Sequence, residues 1–185
     1  MTLVLLLPCF IIIALLIKKD NTGPVFYKQK RMGKSFKPFF IYKFRSMVVN
    51  ADKNGSLITH AEDNRITKIG AILRRYKLDE LPQLLNVCKG DMSIVGPRPE
   101  VEKYCKLFTK DYDTILQVKP GITDPATLFY SQEELILSQE KDKEKAYIQK
   151  VLPEKIMMSK EYVESLSLIN DWKLIFKTLK KIIVI

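Results

Sequence analysis

The sequence predicts a compact α/β fold that is mostly helical, includes a small β-hairpin and begins with an apolar segment. The chain has 185 residues, of which 46% are hydrophobic and 28% charged, so it can bury a core and is not a disordered or low-complexity chain. Nearly all of the first 17 residues are apolar, whereas the rest is mixed, and the formal net charge is +10. A basic chain with one apolar end suggests an anionic partner near a membrane, which includes lipid head groups, a phosphorylated substrate or nucleic acid.

The N-terminal segment, residues 1–19, predicts a membrane element. As a straight helix its apolar run would be about 26 Å long, at the short edge of the hydrocarbon thickness. Pro8 lies within the run and should kink or break the helix, while Lys18 and Lys19 indicate a cytoplasmic flank. The segment lacks the basic start and small-residue cleavage site of a signal peptide. Three structures stay open: a marginal spanning helix, a re-entrant helix broken at Pro8, or a buried core helix.

A β-hairpin is expected next. Residues 25–29 predict a strand, residues 31–35 a turn and residues 39–44 the returning strand. The polar residues 52–64 predict a loop.

The next apolar positions favour helices. Residues 66–76 have helical spacing, and a second helix is expected to begin near Asp79 or Glu80 and to end near Cys88. Pro82 would lie in the first turn of that helix, where proline is tolerated. Further helices are predicted from one apolar face over residues 101–116 and from charge-rich sequence over residues 133–152.

The C-terminal residues 168–183 predict a basic amphipathic helix. Apolar side chains including Trp172 and Phe176 share one face, and Lys173, Lys177 and Lys180 lie on another. Such amphipathic surface helices can lie flat on an anionic membrane. Packing of this helix on the core is the equally open alternative.

Cysteine and histidine usage limits the chemistry. Cys9, Cys88 and Cys105 have no paired or metal-ligand spacing, which argues against a disulfide scaffold and fits a reducing compartment. The single histidine, His60, excludes zinc sites built on several histidines and is expected to be a solvated loop residue. Carboxylates, basic side chains, hydroxyls and a hard metal ion remain for catalysis.

Adjacent carboxylates at Asp79 and Glu80 are the sharpest candidate for chemistry. An ionised aspartate can attack phosphorus, and a neighbouring carboxylate can hold Mg²⁺ together with substrate phosphates. Arg74 and Arg75 lie about one turn upstream and could reach back to the pair. Taken alone, however, an acidic pair at a helix start is ordinarily a capping feature.

Two basic stretches could bind phosphate. Prolines on both sides of Arg98 stiffen its backbone, which presents the guanidinium for bidentate phosphate binding. Lys43 and Arg45 lie on a strand edge beside aromatic residues. Without a phosphate ligand, the Arg98 stretch would be a rigid turn with an exposed arginine. The stretch with Lys43 and Arg45 would be an ordinary amphipathic strand.

Six stretches occur in one order along the chain: residues 41–47 (IYKFRSM), 78–84 (LDELPQL), 86–87 (NV), 89–93 (KGDMS), 95–100 (VGPRPE) and 119–123 (KPGIT). Together they resemble the bacterial sugar transferase family, whose members of this size are small monotopic phosphoglycosyl transferases. The resemblance runs from about Pro8 to the C-terminus, and this combination of motifs is highly specific.

The resemblance implies transfer of a phosphosugar from a UDP-sugar to a polyprenol phosphate such as undecaprenyl phosphate, with release of UMP. This is the first membrane step in the assembly of O-antigen, capsule, exopolysaccharide or protein-linked glycans. The resemblance also implies a monotopic protein of the bacterial inner membrane. Residues 1–19 would form a re-entrant helix broken at Pro8, and residues 20–185 a transferase domain on the cytoplasmic face.

Site roles also follow from the resemblance. Asp79 would be the nucleophile that forms a covalent aspartyl-phosphosugar intermediate, and Glu80 would bind Mg²⁺. Arg98 would hold phosphate and Arg74 would steady the carboxylates. Lys43 and Arg45 of the basic strand are further candidates to bind phosphate or nucleotide. A homodimer is compatible with the sequence.

The region after Thr123 departs from the family pattern. Many members continue there with glycine and a polar run ending in Gly-Arg-Asn, whereas this chain has residues 124–127 (DPAT). Some members carry an aspartate near residues 157–159, where this chain has MMS. The nucleotide contacts of these regions are therefore not predicted.

Two other classes of protein are alternatives to the transferase. A non-enzymatic membrane adaptor could keep the same fold, but the intact Asp79–Glu80 pair argues against it. A nucleic-acid-binding domain is disfavoured because no DNA- or RNA-binding motif is present and the cations flank prolines and carboxylates. The sequence thus predicts no nucleic acid partner.

Overall fold

The computed structural model describes residues 5–51, 58–59 and 63–183. The predicted β-hairpin is present, with β1 (Phe26–Met32) paired antiparallel to β2 (Pro38–Phe44). Both strands are longer than the sequence pattern indicates, and β1 alternates exposed and half-buried side chains. The register places Tyr27 opposite Lys43, so strand pairing fixes the position of Lys43 in the fold.

Helices form most of the remaining structure, as predicted. In chain order they are α1 (Leu7–Asp20), α2 (Lys68–Arg75), α3 (Gln83–Lys89), α4 (Glu102–Leu107), α5 (Thr109–Ile115), α6 (Pro125–Phe129), α7 (Glu133–Ser138), α8 (Lys143–Ala146), α9 (Leu152–Glu164) and α10 (Leu168–Ile183). A 3₁₀ turn, Leu78–Glu80, precedes α3, and a π-helical turn, Tyr147–Val151, joins α8 to α9. The short strands β3 (Ser93–Val95) and β4 (Gly121–Thr123), with a 3₁₀ turn, Lys34–Phe36, in the hairpin loop, complete the order.

A parallel pair formed by β3 and β4 was not predicted. Val95 lies opposite Thr123, and the two segments approach closely at Gly96 and Gly121. A Cβ atom on Gly121 would lie 2.2 Å from the nitrogen of Gly96, and one on Gly96 would lie 2.6 Å from the carbonyl oxygen of Lys119. Since only glycine leaves room for this approach, the pair brings the VGPRPE and KPGIT stretches together.

Helix α3 begins at Gln83, later than the predicted start within the acidic pair. Pro82 has no N–H to donate to the carbonyl of Leu78, which instead accepts from the N–H of Leu81 at 3.2 Å. The predicted helix start is therefore wrong. The Asp79–Glu80 pair lies in the 3₁₀ turn ahead of the helix.

The predicted helix face over residues 101–116 is buried but divided. The backbone of Phe108 leaves the helical region with φ −127° and ψ 43°, between α4 and α5. The hydroxyl of Thr109 donates to the carbonyl of Lys106 at 3.1 Å, a local bond that competes with helical hydrogen bonds. The charge-rich stretch 133–152 is divided too, because Asp142 caps a new helix, α8.

The main hydrophobic core is built from α4, α5, α7, α8 and α9. Its largest contributions include the buried Tyr104, Tyr112, Tyr147, Leu137 and Leu152. Val101, Tyr104 and Tyr147 of this core also line the cavity that contains the acidic pair and Arg98.

The apolar N-terminal segment forms α1, which begins one residue before Pro8 and has this proline in its first turn. Ile13 and Ile17 are buried in a second cluster with Phe44 and Leu73. The opposite side exposes apolar side chains: Leu7, Ile11, Ile12, Leu15 and Leu16. Across residues 5–51, 58–59 and 63–183, no helix has both the length and the apolarity to cross a membrane.

Some predictions concern residues outside the described part of the chain. Residues 1–4 precede α1, so the re-entrant path through Pro8 stays a prediction. His60 and residues 52–57 of the predicted loop also lie outside the described residues. Cys9, Cys88 and Cys105 lie within it and are free thiols.

The amphipathic C-terminal helix is present as α10. One side packs on the domain: Oγ1 of Thr178 lies 2.7 Å from Oγ1 of Thr123, and Nζ of Lys181 donates to the carbonyl of Leu128 at 2.7 Å. The opposite side is an exposed apolar stripe, here named the α10 stripe, which consists of Leu168, Ile169, Trp172, Phe176 and Leu179. Packing on the domain and an open apolar face thus coexist in this helix.

Candidate active site

A tight turn presents the acidic pair. Lys77 follows α2 with left-handed backbone angles, φ 55° and ψ 20°, so the chain turns sharply directly before the 3₁₀ turn. A non-glycine residue in this conformation costs about 1 kcal/mol. Strained backbone of this kind is concentrated at functional sites, and here it precedes two carboxylates that line a cavity.

The cavity has a volume of about 370 Å³. Side chains from β2, the 3₁₀ turn, the VGPRPE loop, α6, α7 and α10 line it. Among its described lining residues, seven are basic and five are acidic. A concave site with an excess of positive charge suits an anionic ligand.

Asp79 is the buried member of the pair. Asp79 is only 5% exposed, and its Oδ1 atom has no hydrogen-bond partner among the described residues. Burial raises the pKa of the Asp79 carboxyl, Lys43 opposes this shift, and the charge on Glu80 adds to it. Because an unpartnered buried carboxylate oxygen is costly, this atom is suited to meet a ligand.

Glu80 is bound by two cations from other parts of the chain. Nζ of Lys43 donates to Oε1 at 2.8 Å, Nη1 of Arg98 donates to Oε2 at 3.2 Å, and Nη2 of Arg98 donates to Oε1. Burial would raise the pKa of Glu80, but Arg98 and Lys43 outweigh it and hold that pKa well below its usual range. Two adjacent carboxyl groups whose pKa values are moved apart can serve different chemical roles.

Arg98 reaches Glu80 from the VGPRPE loop. The N–H of Gly121 donates to the carbonyl of Pro97 at 3.0 Å, which ties this loop to β4. The backbone N–H of Arg98 donates to Oδ2 of Asp124 at 3.3 Å. The charge on Glu80 raises the pKa of Arg98 further, so the guanidinium stays positive.

Arg74 lines the same cavity, but its guanidinium binds another carboxylate. It donates to Glu134 of α7 and, at 3.5 Å, to Oγ of Ser46. Its charge still lowers the pKa of Asp79, against the larger effect of burial. Within the described residues Arg74 therefore influences Asp79 through its charge, without a hydrogen bond to it.

Arg45, a predicted phosphate ligand, is not brought to the cavity that the described residues form. Its guanidinium donates to the carbonyls of Thr22 at 2.7 Å and Asn21 at 2.8 Å, at the C-terminal end of α1. A cation at this position satisfies terminal carbonyls and interacts favourably with the helix dipole. The residue is 5% exposed, so its position corresponds to a structural cap.

The acidic pair fits a Mg²⁺ ion that takes most of its ligands from substrate. Mg²⁺ prefers oxygen and binds one or two carboxylates together with phosphate oxygens and water. Oδ1 of Asp79 is an unpartnered oxygen of this type, and the adjacent Glu80 carboxylate, which accepts from Lys43 and Arg98 in this structure, is the second. In the part of the chain that the structure describes, no group of three or more His, Cys, Asp or Glu side chains could hold a metal alone.

Asp124 and Glu134 were not predicted as site residues. Asp124 is fully buried and caps α6, and an aspartate before a proline is a recognisable helix-start signal. That signal could have identified the cap, although not its contact with Arg98. The contact between Glu134 and Arg74 joins residues 60 positions apart and has no local signal.

Comparison with known proteins agrees with the motifs. The sequence model of a family described as bacterial sugar transferase matches residues 1–184. The UDP-N-acetylgalactosamine-undecaprenyl-phosphate N-acetylgalactosaminephosphotransferase of Aeromonas hydrophila is 35% identical over 179 residues, which are 95% of this chain and 39% of that protein. The UDP-glucose:undecaprenyl-phosphate glucose-1-phosphate transferase of Escherichia coli (strain K12) is 39% identical over 188 residues, with 97% of this chain and 38% of that protein covered.

A relative of more similar length is the uncharacterized sugar transferase EpsL of Bacillus subtilis (strain 168), which is 39% identical over 162 residues. This match covers 88% of the chain and 71% of EpsL. The chain spans about two fifths of the length of the relatives from A. hydrophila and E. coli. With the family match over nearly every residue, the resemblance seen in the motifs is confirmed, and the chain belongs to the bacterial sugar transferase family.

Proposed function

We propose that this chain transfers a phosphosugar from a UDP-sugar to a polyprenol phosphate, such as undecaprenyl phosphate, and releases UMP. The observation that carries the proposal is the buried Asp79, whose Oδ1 has no partner among the described residues and which lines a cavity beside Glu80. The relatives from A. hydrophila and E. coli bear names that include a UDP-sugar and undecaprenyl phosphate. Those names support the same substrate classes for this chain.

The proposed reaction has two displacements at one phosphorus atom. A carboxylate oxygen of Asp79 attacks the phosphorus that bears the sugar, an O–P bond forms, and the bond to the bridging oxygen breaks. UMP leaves with that electron pair. A phosphate oxygen of the polyprenol phosphate then attacks the same phosphorus, and Asp79 leaves as a carboxylate. The products are a polyprenyl diphosphate sugar and UMP.

The basic side chains of the cavity would stabilise the diphosphate. Lys43 and Arg98 are bound to Glu80 and line the same cavity as Asp79, so they can share their donors with phosphate oxygens. We assign Glu80 as the protein ligand of Mg²⁺. When bound, the ion would neutralise charge on the diphosphate.

For this reaction, the domain of residues 20–185 would lie on the cytoplasmic face of the bacterial inner membrane, with residues 1–19 as its membrane element. Exposed apolar side chains of α1 and the α10 stripe support contact with lipid. Lys173, Lys177 and Lys180 on α10 can contact anionic head groups. Since α10 also lines the cavity, a lipid phosphate at the bilayer surface could reach the site.

The test uses the purified full chain with a panel of UDP-sugars and undecaprenyl phosphate, and it measures UMP release. We expect turnover with at least one UDP-sugar, dependence on the lipid phosphate, and loss of activity in EDTA that Mg²⁺ restores. D79N should lower turnover by several orders of magnitude. The matched control is D113N, because Asp113 is an exposed aspartate in α5.

Absence of the lipid-linked product with every UDP-sugar would reject the proposal. Retained binding of lipid phosphate without turnover would instead favour the membrane adaptor. Labelled sugar that stays on the wild-type protein in the absence of lipid, but not on D79N, would support the aspartyl intermediate.

A further inference from the structure

Asp124 is next to Arg98 in the fold and contacts three separate parts of the chain. It is fully buried, at 0% exposure. Its Oδ1 accepts from the N–H of Thr127 at 2.7 Å, which caps α6. Its Oδ2 accepts from the N–H of Arg98 at 3.3 Å and lies 3.5 Å from the hydroxyl of Ser159 in α9.

The contact with Arg98 fixes a stretch of backbone that has few N–H donors. Pro97 and Pro99 have no N–H, so the N–H of Arg98 is the donor between them. By accepting it, Asp124 fixes the turn from which the Arg98 side chain extends to Glu80. The contact crosses 26 positions and links the start of α6 to this turn.

We propose that Asp124 is a positioning residue for Arg98 in the transfer reaction. Its carboxylate holds the backbone of Arg98 so that the guanidinium lies at the acidic pair. This inference rests on the proposed function, because it assigns Arg98 a role at the diphosphate. Asp124 itself would touch neither substrate nor the reacting atoms.

The two oxygens of Asp124 allow its two roles to be separated. Asparagine caps helices about as well as aspartate, so D124N can keep the bond to Thr127. Asparagine has only one acceptor oxygen, however, and its amide nitrogen would face the N–H of Arg98 as a second donor. D124N should therefore keep α6 and release the backbone of Arg98.

The experiment compares the wild type, D124N and the control variant D142N. Asp142 caps α8 through the N–H of Lys145 at 3.0 Å, but it is exposed and makes a cap of the same chemistry away from the cavity. We expect kcat/KM for the UDP-sugar to fall about tenfold or more in D124N, the effect of losing one hydrogen bond that acts in the transition state. D142N should match the wild type.

Amide hydrogen exchange supplies a readout that does not need turnover. Because prolines flank Arg98, a peptide covering residues 96–100 reports on the amides of Arg98 and Glu100 only. In D124N this peptide should exchange about tenfold faster than in the wild type, while the amides of α6, including Leu128, should stay protected. If Asp124 acted only as the cap of α6, D124N would instead speed exchange in α6 and leave the 96–100 peptide unchanged.

A double variant tests whether the effect passes through Arg98. D124N/R98A should turn over no more slowly than R98A, since a positioning residue has no effect once its target is removed. Additive losses, normal turnover in D124N, or unchanged exchange of the 96–100 peptide would each overturn the proposal. If the wild type itself shows no turnover, the proposed function fails, and exchange at Arg98 still decides whether Asp124 holds that backbone.

Discussion

Nζ of Lys43 lies 2.8 Å from Oε1 of Glu80 and joins the hairpin to the 3₁₀ turn across 37 positions. The side chains are 20% and 12% exposed, so water screens the pair only weakly. Burial lowers the pKa of Lys43, and the charge on Glu80 opposes this shift. Arg98 is the second cation on the same carboxylate, so Glu80 compensates two positive charges at once.

E80Q is expected to destabilise the protein. Removal of the shared negative charge leaves Lys43 and Arg98 without their partner, and the free energy of unfolding should fall by about 3 kcal/mol at neutral pH. Urea unfolding of the wild type and E80Q measures the difference. The matched control is E164Q, because Glu164 is exposed at the end of α9 and should change little.

The pH dependence of that difference has a defined sign. The folded pKa of Glu80 lies well below its ordinary value, so its stabilising effect is present above the unfolded pKa, about 4.3, and is lost as the pH falls through the folded pKa. The difference in the free energy of unfolding between the wild type and E80Q should therefore be constant down to the pH at which an ordinary glutamate titrates, and it should shrink below that pH. If this difference disappeared near neutral pH, the lowered pKa of Glu80 would be contradicted.

D79N is expected to stabilise the fold while it removes activity. Burial raises the folded pKa of Asp79, so its ionised form destabilises the fold above that pKa, and protonation relieves this effect as the pH falls. The Tm of D79N should exceed that of the wild type most at neutral pH and approach it in acid. Thermal unfolding across this range, with D113N as control, measures the effect. A lower Tm for D79N at every pH would refute it.

Arg45 and Arg98 should respond differently to substitution. R45A removes two hydrogen bonds at the end of α1, so stability should fall by about 3 kcal/mol while KM for the UDP-sugar stays near that of the wild type. R98A should lower kcat/KM by about 100-fold, as expected for a donor that stabilises developing charge. Denaturant unfolding and steady-state kinetics separate the two effects. A large rise in KM for R45A would restore it as a phosphate ligand.

Trp172 should report on contact between α10 and lipid. It is the only tryptophan in the sequence and is 61% exposed within the α10 stripe. Its emission should shift to shorter wavelength with phosphatidylglycerol vesicles and less with phosphatidylcholine, because each nearby lysine adds about 1 kcal/mol of attraction to anionic lipid. F176S should weaken the shift, since it removes apolar area from the same stripe. An unchanged spectrum with anionic vesicles would contradict lipid contact.

Sequence patterns predicted the type of the main local elements because alternation and helical spacing identify the apolar face of each segment. The hairpin and the amphipathic α10 were predicted on this basis. Helix ends were less predictable, since they depend on single bonds such as the one that Pro82 cannot make to Leu78. The interruption at Phe108 has the same kind of cause.

The motifs by themselves determined the family and singled out Asp79 and Glu80 as the reactive candidates. Tertiary structure alone decided which cations reach that pair: Lys43 and Arg98 bind Glu80, whereas Arg45 caps α1. The physical reason is that residue type sets what a side chain can bind, but its partner is set by packing between segments that are distant in sequence. The fully buried Asp124 owes its contact with Arg98 to that packing.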